Sequence, residues 1–291
     1  GLVTCGSVWQ CPVCAAKITE RRRVELQQAI NNATAKGYSF FLATFTLQHT
    51  KADALKNVRA YLTDALEQTK SGRWWGNFTE EFEIIGNIAK SEVTYGMEHG
   101  WHFHKHLLFI TRQPMNVPEC DRIKSALSAR YENKLALMGR YAHPIHGVDV
   151  RVGDTYVADY ISKYGHEPSP TWSLAAEVSK SFSKTAKADG HYTPFQLLDF
   201  DETKELFAEY AMTMKNYNQL RWSNGLRKKL ELGEELSDEE LASVQDDDAA
   251  LFAQLTISQW RKIIKAEARG QILEVASHGD IELFQTYLKH L

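Results

Sequence analysis

The sequence predicts an α+β fold, in which a central antiparallel sheet carries helices packed on one face. Strand-like segments rich in aromatic and β-branched residues alternate with segments of helical periodicity in the order β-α-β-β-α-β-α. A five-residue link bounded by two glycines, residues 96–100, joins the second and third strands and has the length of a hairpin connection. We expect three regions: an N-terminal cysteine knuckle, the sheet domain and a mostly helical C-terminal region, over residues 1–16, 17–193 and 194–291.

Each element follows from a local pattern. Apolar residues at helical spacing predict a helix over 15–36, and the run YSFFLATFTLQ predicts a strand over 38–48. The same patterns predict, in order, a helix over 53–70, strands over 84–95 and 101–111, a helix from Pro118 to about Met138 and a strand over 147–152. Beyond these, helices are expected over 194–218, 238–249, 256–278 and 279–290.

Three histidines alternate along the third predicted strand. His102, His104 and His106 are spaced two residues apart and therefore share one face of the strand. Neutral imidazoles held in this way on a rigid strand form half of a divalent-metal site. The alternative is a half-buried strand that happens to be rich in histidine.

The second predicted strand supplies a carboxylate to the same site. If Tyr95 pairs with Trp101, Glu92 lies directly opposite His104, and opposed side chains are about 4.5–5.5 Å apart at Cβ. A Glu/His/His set with open coordination positions is better suited to Mg²⁺ or Mn²⁺ acting on a phosphate than to a closed structural zinc site. A slip of one residue would turn Glu92 to the other face, and His102 would then be the substitute ligand.

A helix expected over residues 153–165 supplies the candidate nucleophile. At about 100° per residue, Tyr156, Tyr160 and Lys163 fall on one stripe, beside a separate apolar stripe. Phenol is a weak nucleophile because its pKa is about 10, so a metal that polarises a phosphate and a nearby cation would both assist it. Attack would leave a phosphotyrosine. Because residues four apart on a helix are neighbours, one tyrosine could hold a DNA end while the other cleaves again.

Three sequence blocks, in this order, resemble the HUH endonucleases, specifically the rolling-circle replication initiator (Rep) proteins of bacterial plasmids. They are residues 41–49 (FLATFTLQH), 100–106 (GWHFHKH) and 156–163 (YVADYISK). The cysteine block and residues 222–227 (WSNGLR) are also similar to this family, so the likeness extends from residue 5 to about residue 240. The resemblance implies a ferredoxin-like palm with the histidine strand at its centre. It also implies metal on His104 and His106, and a nucleophile at Tyr160 with Lys163 three residues on.

The position four residues before the nucleophile departs from several members of the family. There it is variable and often acidic, whereas here it is Tyr156, as in the two-tyrosine small-phage initiators and some transposases. A second tyrosine would end the round by transesterification, whereas an acidic residue would activate water. For Tyr156 the alternative is a packing role on the helix edge.

Two other functions stay open. The tyrosine pair is compatible with a two-tyrosine transposase or a conjugative relaxase, although relaxases generally place their tyrosines before the histidine motif. A non-enzymatic zinc-ribbon DNA-binding protein would leave the Tyr/Tyr/Lys stripe unexplained.

Cys5, Cys11 and Cys14 predict a structural zinc site in a reducing compartment. Cys11 and Cys14 form a C-P-V-C knuckle, and Cys5 lies six residues before it. The fourth ligand is open: the distant Cys120, a histidine, or a residue upstream of Gly1, since we expect the native N-terminus to lie upstream. A redox-active cysteine pair is the alternative.

The charge distribution permits DNA binding without demonstrating it. The net charge is −3 and the pI about 6.4, whereas a basic domain is usual for nucleic-acid binding. Residues 231–248 hold nine acidic and no basic residues, which leaves 34 basic against 28 acidic residues elsewhere. This acidic segment is either a solvated linker or a screen that keeps DNA from one surface. The predicted DNA contacts are Arg21, Arg22, Arg23 and Lys105.

The expected cofactors and partners follow from these sites. They are Mg²⁺ or Mn²⁺ for the reaction, a structural Zn²⁺, and single-stranded or hairpin DNA at a replication origin. The sequence lacks a G-x-x-x-x-G-K-[ST] loop, so unwinding would come from a host helicase acting with a host polymerase. No apolar run approaches 18 residues and no signal peptide is recognisable, so we expect a cytoplasmic protein without a membrane partner.

Overall fold

The computed structural model describes residues 5–152, 191–244, 253–266 and 279–291, together with residues 268, 271, 272, 275 and 276. Helices and antiparallel strands are mixed within these residues, which confirms the predicted α+β class. The segment that contains Tyr156, Tyr160 and Lys163 lies outside the described residues.

One six-stranded sheet organises the described part of the chain. Its strands are β1 (Ser39–Phe45), β2 (Ile84–Gly96), β3 (Gly100–Thr111), β4 (Val148–Val152), β5 (His191–Tyr192) and β6 (Leu220–Trp222). The order is β4-β1-β3-β2-β5, and β6 pairs with a second stretch of the same edge of β2. All pairs are antiparallel. The histidine strand β3 is therefore central, as the family resemblance implied.

The β2–β3 hairpin has the predicted register. Tyr95 pairs with Trp101, and Glu92 lies directly opposite His104. The connection turns through Gly100, whose φ of +80° is in the left-handed region that glycine tolerates. A Cβ at this position would lie 2.8 Å from the Cα of Lys51, so both the backbone angle and the available space select glycine.

Nine helices are described. Their bounds are α1 Pro12–Ala35, α2 Leu55–Thr69, α3 Gly72–Glu81, α4 Val117–Ala136, α5 Lys204–Met214, α6 Leu226–Lys229, α7 Asp238–Ser243, α8 Ile257–Lys265 and α9 Ile281–His290. Pro12 occupies the first turn of α1, where its missing N–H costs no hydrogen bond. At the start of α4, Asn116 and Glu119 form a reciprocal capping box.

Both faces of the sheet are packed, which corrects the prediction of helices on one face. The larger core contains odd-numbered residues of β1 and β3, such as Phe41 and Phe109, together with residues of α2 and α4. A second core on the other face joins Leu42, Leu108 and Ile110 to the C-terminal half of α1. The cause is visible in β3: the continuous apolar run Leu107-Leu108-Phe109-Ile110 is typical of a strand segment buried on both sides.

The secondary structure after residue 194 also differs from the prediction. Instead of the single helix expected over 194–218, the chain forms two short 3-10 turns followed by α5, and β6 then adds to the sheet. Leu197 and Tyr210 belong to the larger core, and Leu220 and Leu226 to the second core. Residues in the range 191–230 thus pack on the same sheet as the preceding strands. Helix α3 was not predicted.

The last described elements form their own apolar cluster. Ile263 of α8 packs with Phe284 and Leu288 of α9, and Ala268 and Ile272 complete this cluster. Among the described residues, no helix combines the length and apolar character needed to cross a bilayer.

Gly100→Ala is expected to lower the free energy of unfolding by about 1–3 kcal/mol, because alanine is strained at positive φ and its Cβ meets the Lys51 backbone. Urea denaturation of the full chain measures this change. Gly76→Ala is the matched control: Gly76 lies in α3 with open space around its Cβ position, so alanine should raise stability by about 0.5–1 kcal/mol. Equal effects of the two substitutions would contradict this account of the turn.

Candidate metal centre

One face of the sheet carries the candidate site, next to the stretch of β3 that packs against α1. Even-numbered residues of β3 alternate with the apolar residues of the larger core, so His102, His104 and His106 all point away from that core. Further along the same face, Leu108 and Ile110 are covered by α1. The face is therefore apolar where α1 packs on it and polar over the rest.

Glu92, His104 and His106 converge as the sequence predicted. One ligand atom from each residue lies within 4.8 Å of the other two. Oε2 of Glu92 is 3.0 Å from Nε2 of His104 and 3.4 Å from Nε2 of His106. The three side chains thus present nitrogen and oxygen donors around one small volume.

Thr44 orients the imidazole of His106. The two residues are directly opposed in the β1–β3 register, and Oγ1 of Thr44 lies 2.9 Å from Nδ1 of His106. If Nε2 of His106 serves as a metal ligand, its ring proton must be on Nδ1, and that N–H then donates to the Thr44 hydroxyl. A hydrogen-bond partner of this kind fixes both the tautomer and the ring orientation of a ligand histidine.

Lys90 lies beside the carboxylate. Its Nζ is 2.7 Å from Oε1 of Glu92, the oxygen that does not face the histidines. Burial alone would raise the pKa of the Glu92 carboxyl, but the hydrogen bonds from His104 and His106 and the charge of Lys90 outweigh burial and lower the pKa. Glu92 is therefore an anionic donor at neutral pH.

The donor set fits a divalent cation. Two imidazoles and one carboxylate leave coordination positions for water or a substrate oxygen, as open metal sites do. Nε2 of His104 faces Glu92, and Nδ1 of the same ring is buried without a hydrogen-bond partner among the described residues.

His102 was the predicted substitute ligand in case Glu92 faced away from the cluster. In the structure it contacts another histidine. Because the register sets Glu92 opposite His104, no substitute ligand is needed, and Nδ1 of His102 instead lies 3.1 Å from Nε2 of His49. His49 is oriented in turn by the carbonyl of His99, 2.9 Å from its Nδ1. Burial first, and then the charges of His104, His49 and other histidines, lower the pKa of His102 to about 4. His102 is thus neutral at pH 7.

An open cleft of about 670 Å³ adjoins the cluster through His102, whose ring centroid is 4.9 Å from that of His104. Arg140 and Tyr141 also line the cleft, and Asp53 pairs with Arg140 at 2.9 Å. The cleft is unusually rich in imidazole: six of the chain's eleven histidines line it, namely His49, His99, His102, His143, His146 and His191.

The predicted nucleophile does not belong to the part of the chain that the structure describes. Tyr160, Tyr156 and Lys163 all fall in the segment between β4 and β5, outside the described residues. Strand β4 precedes them in the chain and pairs with β1 over a stretch that includes Thr44. The catalytic roles of the two tyrosines and the lysine therefore stay predictions from the sequence.

The three N-terminal thiols also converge. Cys5, Cys11 and Cys14 bring their sulfur atoms within 4.8 Å of one another, and the Sγ atoms of Cys5 and Cys14 are 3.7 Å apart. With Zn–S bonds of about 2.3 Å, tetrahedral zinc holds two thiolates about 3.8 Å apart. The spacing therefore fits zinc, while Cys120 lies in the larger core and is not part of the cluster.

Burial, followed by the Cys11 and Cys5 thiols, raises the pKa of Cys14 to about 11. Burial acts in the same direction on Cys11, but hydrogen bonds, first from the backbone and thiol of Cys14, lower its pKa overall. Three adjacent thiolates would repel one another, so their deprotonation together is favoured by a bound cation.

Lys105, a predicted DNA contact, lies inside the fold. It is 5% exposed and points to the face opposite the histidines, where its Nζ lies 5.5 Å from the centre of the Tyr217 ring. Burial would raise the pKa of Tyr217, but the Lys105 charge and hydrogen bonds lower it overall. The strand period already assigned Lys105 to this face.

The arginine run on α1 is largely occupied by acidic and carbonyl groups. Arg22, also a predicted DNA contact, is 6% exposed, donates to the carbonyl of Leu236 at 2.7 Å and pairs with Glu25 and Asp238. Arg23 pairs with Glu20, and Arg21 donates to the carbonyl of Val244. Those two are partly exposed, and their contact with DNA stays a prediction.

These contacts also correct the interpretation of the acidic segment as a free linker. Its described part, residues 231–244, packs on α1 through Glu235 and Asp238 and includes α7.

Sequence reasoning missed Thr44, Lys90 and most of the histidine cleft. Thr44 and Lys90 could have been found from the sequence, because each is a polar residue in a strand and shares a face with the ligands. Lys90 is two residues before Glu92, and Thr44 interrupts the apolar run of β1. The cleft had no such signal, because its histidines come from several separate loops and strands.

The chain is similar to two proteins of Streptomyces. It is 28% identical over 253 residues to "Protein rep" of Streptomyces lividans, which covers 68% of this chain and 53% of that protein. It is 30% identical over 138 residues to "Neomycin resistance protein" of Streptomyces cyanogenus, which covers 38% of this chain and 31% of that protein. The chain thus spans about half the length of the first relative and about a third of the second. No family model and no solved structure matches.

Thr44→Val is expected to weaken Mn²⁺ binding about tenfold, because valine keeps the shape of the side chain but releases the Nδ1 of His106. Titration of the purified chain with Mn²⁺, followed by electron paramagnetic resonance, measures the affinity. Thr63→Val is the control: it removes a hydroxyl that bonds to Tyr217 and should leave Mn²⁺ affinity unchanged. Equal affinities of Thr44→Val and the unaltered chain would rule out the tautomer role.

Cys14→Ser is expected to reduce bound zinc from about one ion per chain to almost none, since one of three converging thiolates is lost. Elemental analysis of the purified protein by mass spectrometry measures the zinc content. Cys120→Ser, which changes a buried cysteine outside the cluster, should retain its zinc. Retention of zinc by both variants would exclude the three-cysteine site.

Proposed function

We propose that this protein is a plasmid rolling-circle replication initiator that nicks single-stranded DNA and transfers the strand through a covalent 5′-phosphotyrosine intermediate. The observation that carries the proposal is the convergence of Glu92, His104 and His106 on one face of the sheet. The similarity to "Protein rep" is independent support for a role in plasmid replication and for binding of DNA. On this proposal the enzyme is a site-specific nickase-ligase with an HUH active site.

The side chains around the cluster prepare it for a phosphodiester. Glu92, His104 and His106 would hold Mg²⁺ or Mn²⁺, which would supply Lewis-acid polarisation of the scissile phosphate. Thr44 keeps the Nε2 of His106 available, and the apolar core behind β3 holds the strand rigid. A catalytic constellation on packed strands retains its geometry better than one on a loop.

Tyr160 is proposed as the nucleophile. Its phenolate oxygen would bond to phosphorus as the bond from phosphorus to the 3′ oxygen breaks, which leaves the 5′-phosphate on the tyrosine and a free 3′-hydroxyl. The energy of the phosphodiester is conserved in the new bond, so no nucleotide cofactor is required. Lys163 would stabilise the negative charge of the transition state. Tyr156 would carry out the second transfer, in which a new strand end is joined and the first is released.

The histidine cleft is the proposed route for the DNA strand. It adjoins the cluster through His102, is open to solvent, and combines imidazole rings with Arg140 and Tyr141. Aromatic rings that can stack on bases and donors that can reach phosphates are the usual components of single-strand binding. Because Arg22 and Lys105 are buried, the proposed route does not include their side chains. A host helicase and polymerase would complete replication.

A two-tyrosine transposase is the second candidate. The spacing of Tyr156 and Tyr160 favours it, because strand exchange between two phenols suits both kinds of enzyme. The similarity to "Protein rep" favours the replication initiator. The two candidates differ in substrate: origin-derived hairpins of a plasmid in one, and the ends of a mobile element in the other.

A covalent adduct with DNA is the expected product of the first step. The full chain is mixed with a panel of single-stranded hairpin oligonucleotides, with and without Mn²⁺, and separated on a denaturing gel. We expect a metal-dependent band of protein joined to DNA that falls to background in Tyr160→Phe, since a phenyl ring has no nucleophile. Tyr156→Phe should form the first adduct and fail in transfer to a second oligonucleotide.

Tyr38→Phe is the matched control, because Tyr38 packs at the rim of the second core and should leave adduct formation intact. His104→Ala should remove the adduct at Mn²⁺ concentrations that saturate the unaltered chain. An adduct that survives Tyr160→Phe and disappears in Tyr156→Phe would reverse the two roles. The same yield with and without Mn²⁺ would refute metal dependence.

A further inference from the structure

We propose that Lys90 makes cation binding at the Glu92–His104–His106 cluster depend on a phosphate anion, so that the divalent ion and the DNA backbone are captured together. This inference rests on the proposed function. Lys90 takes no part in the bonds that form and break. Its proposed role is to control when the cluster binds the divalent ion.

Lys90 is held where its charge acts on the site. It is 3% exposed, and it lies directly opposite His106 on one side and Leu220 of β6 on the other. Its Nζ is 2.7 Å from Oε1 of Glu92, while Oε2 of the same carboxylate faces the two histidines. The ammonium and the candidate metal position therefore share one carboxylate.

The charge balance follows from these contacts. Glu92 carries −1, Lys90 carries +1 and neutral imidazoles carry no charge, so the four described side chains Lys90, Glu92, His104 and His106 sum to zero. A divalent cation that binds to Oε2 gains the attraction of one carboxylate and meets the repulsion of a buried ammonium. At the effective dielectric of a partly buried site, such a charge changes affinity by about tenfold or more.

A phosphodiester supplies the missing negative charge. Its non-bridging oxygens are hard donors of the kind that Mg²⁺ and Mn²⁺ prefer, and its charge offsets that of Lys90. Cation and DNA should therefore bind cooperatively, each raising the affinity for the other by the same factor.

The low affinity of the cluster for a divalent ion without DNA also affects which ion it binds. A Glu/His/His set alone would favour Zn²⁺ or Cu²⁺ over Mn²⁺, and the ammonium weakens capture of any of these ions without substrate.

Mn²⁺ affinity of the full chain tests the proposal. Electron paramagnetic resonance would follow the free ion, in the absence and in the presence of a single-stranded oligothymidylate of about 20 nucleotides, which provides backbone phosphates without an origin sequence. In the unaltered chain, oligothymidylate should strengthen Mn²⁺ binding by about tenfold or more, and Mn²⁺ should strengthen oligothymidylate binding by the same factor.

Lys90→Met removes the charge and keeps much of the side-chain volume. We expect it to bind Mn²⁺ about tenfold more tightly than the unaltered chain when no DNA is present, and to show a smaller enhancement by oligothymidylate. Because a merely structural residue would weaken binding when altered, a gain in affinity is specific to the proposed role. Mn²⁺ should also raise the melting temperature of Lys90→Met by more than that of the unaltered chain, since it replaces the lost counter-charge of Glu92.

Two controls separate charge from general disturbance. Lys90→Arg keeps the positive charge and should keep the weak affinity for the bare ion. Lys70→Met removes another half-buried lysine, one that bonds to Asn87 on the opposite face of the sheet at 3.2 Å, and should leave Mn²⁺ binding unchanged.

The possible failures are distinguishable. Equal or weaker Mn²⁺ affinity in Lys90→Met, or no enhancement by oligothymidylate in the unaltered chain, overturns the role of Lys90 and leaves the covalent-adduct assay free to succeed. Absence of Mn²⁺ binding in both proteins, with and without oligothymidylate, overturns the metal centre itself and with it the proposed function. If Lys90→Met does not fold, Lys90→Gln removes the same charge and gives the same comparison of Mn²⁺ affinities.

Discussion

The register between β2 and β3 is the constraint on which the rest of the structure depends. The pairing of Tyr95 with Trp101 sets Glu92 opposite His104 and Lys90 opposite His106, and it sends the intervening residues into the larger core. A shift of one residue would bury the ligands and expose the apolar residues together. The same hydrophobic burial that stabilises the sheet therefore also fixes the composition of the metal cluster. Gly100 protects this arrangement, because it allows the hairpin to close beside Lys51.

On both faces of this sheet, a buried charged side chain lies beside a neighbouring group that stabilises it. Lys90 and Glu92 neutralise each other among the histidines, and Lys105 on the other side of β3 lies over the Tyr217 ring. A charge without such a partner would cost several kcal/mol in a site of low dielectric. The protein thus keeps cationic groups within a few ångströms of a candidate phosphate-binding site without making its overall charge basic.

The strand period carried most of what the sequence could predict about the site. Alternation placed the three histidines on one face, and the length of the glycine-bounded link selected the register that brings Glu92 to His104. Long-range packing could not be predicted in this way. Arg22 has the sequence pattern of a surface cation, but its burial depends on Leu236 and Asp238, which are over 200 residues away in the chain. Strand β6 is only three residues long, too short for a periodic pattern, and it was therefore assigned to a helical region. The histidine cleft is assembled from separate loops, for which a local pattern has no information.

The acidic segment and α1 are joined by ion pairs. Arg22 is nearly enclosed by Glu25, Glu235 and Asp238, and Arg227 pairs with Glu25 at 2.6 Å. The excess of acidic residues is thus partly the internal counter-charge of the fold and not a feature of its outer surface alone. A truncation made to give the protein a more basic isoelectric point would remove partners of a buried guanidinium and would destabilise the first helix.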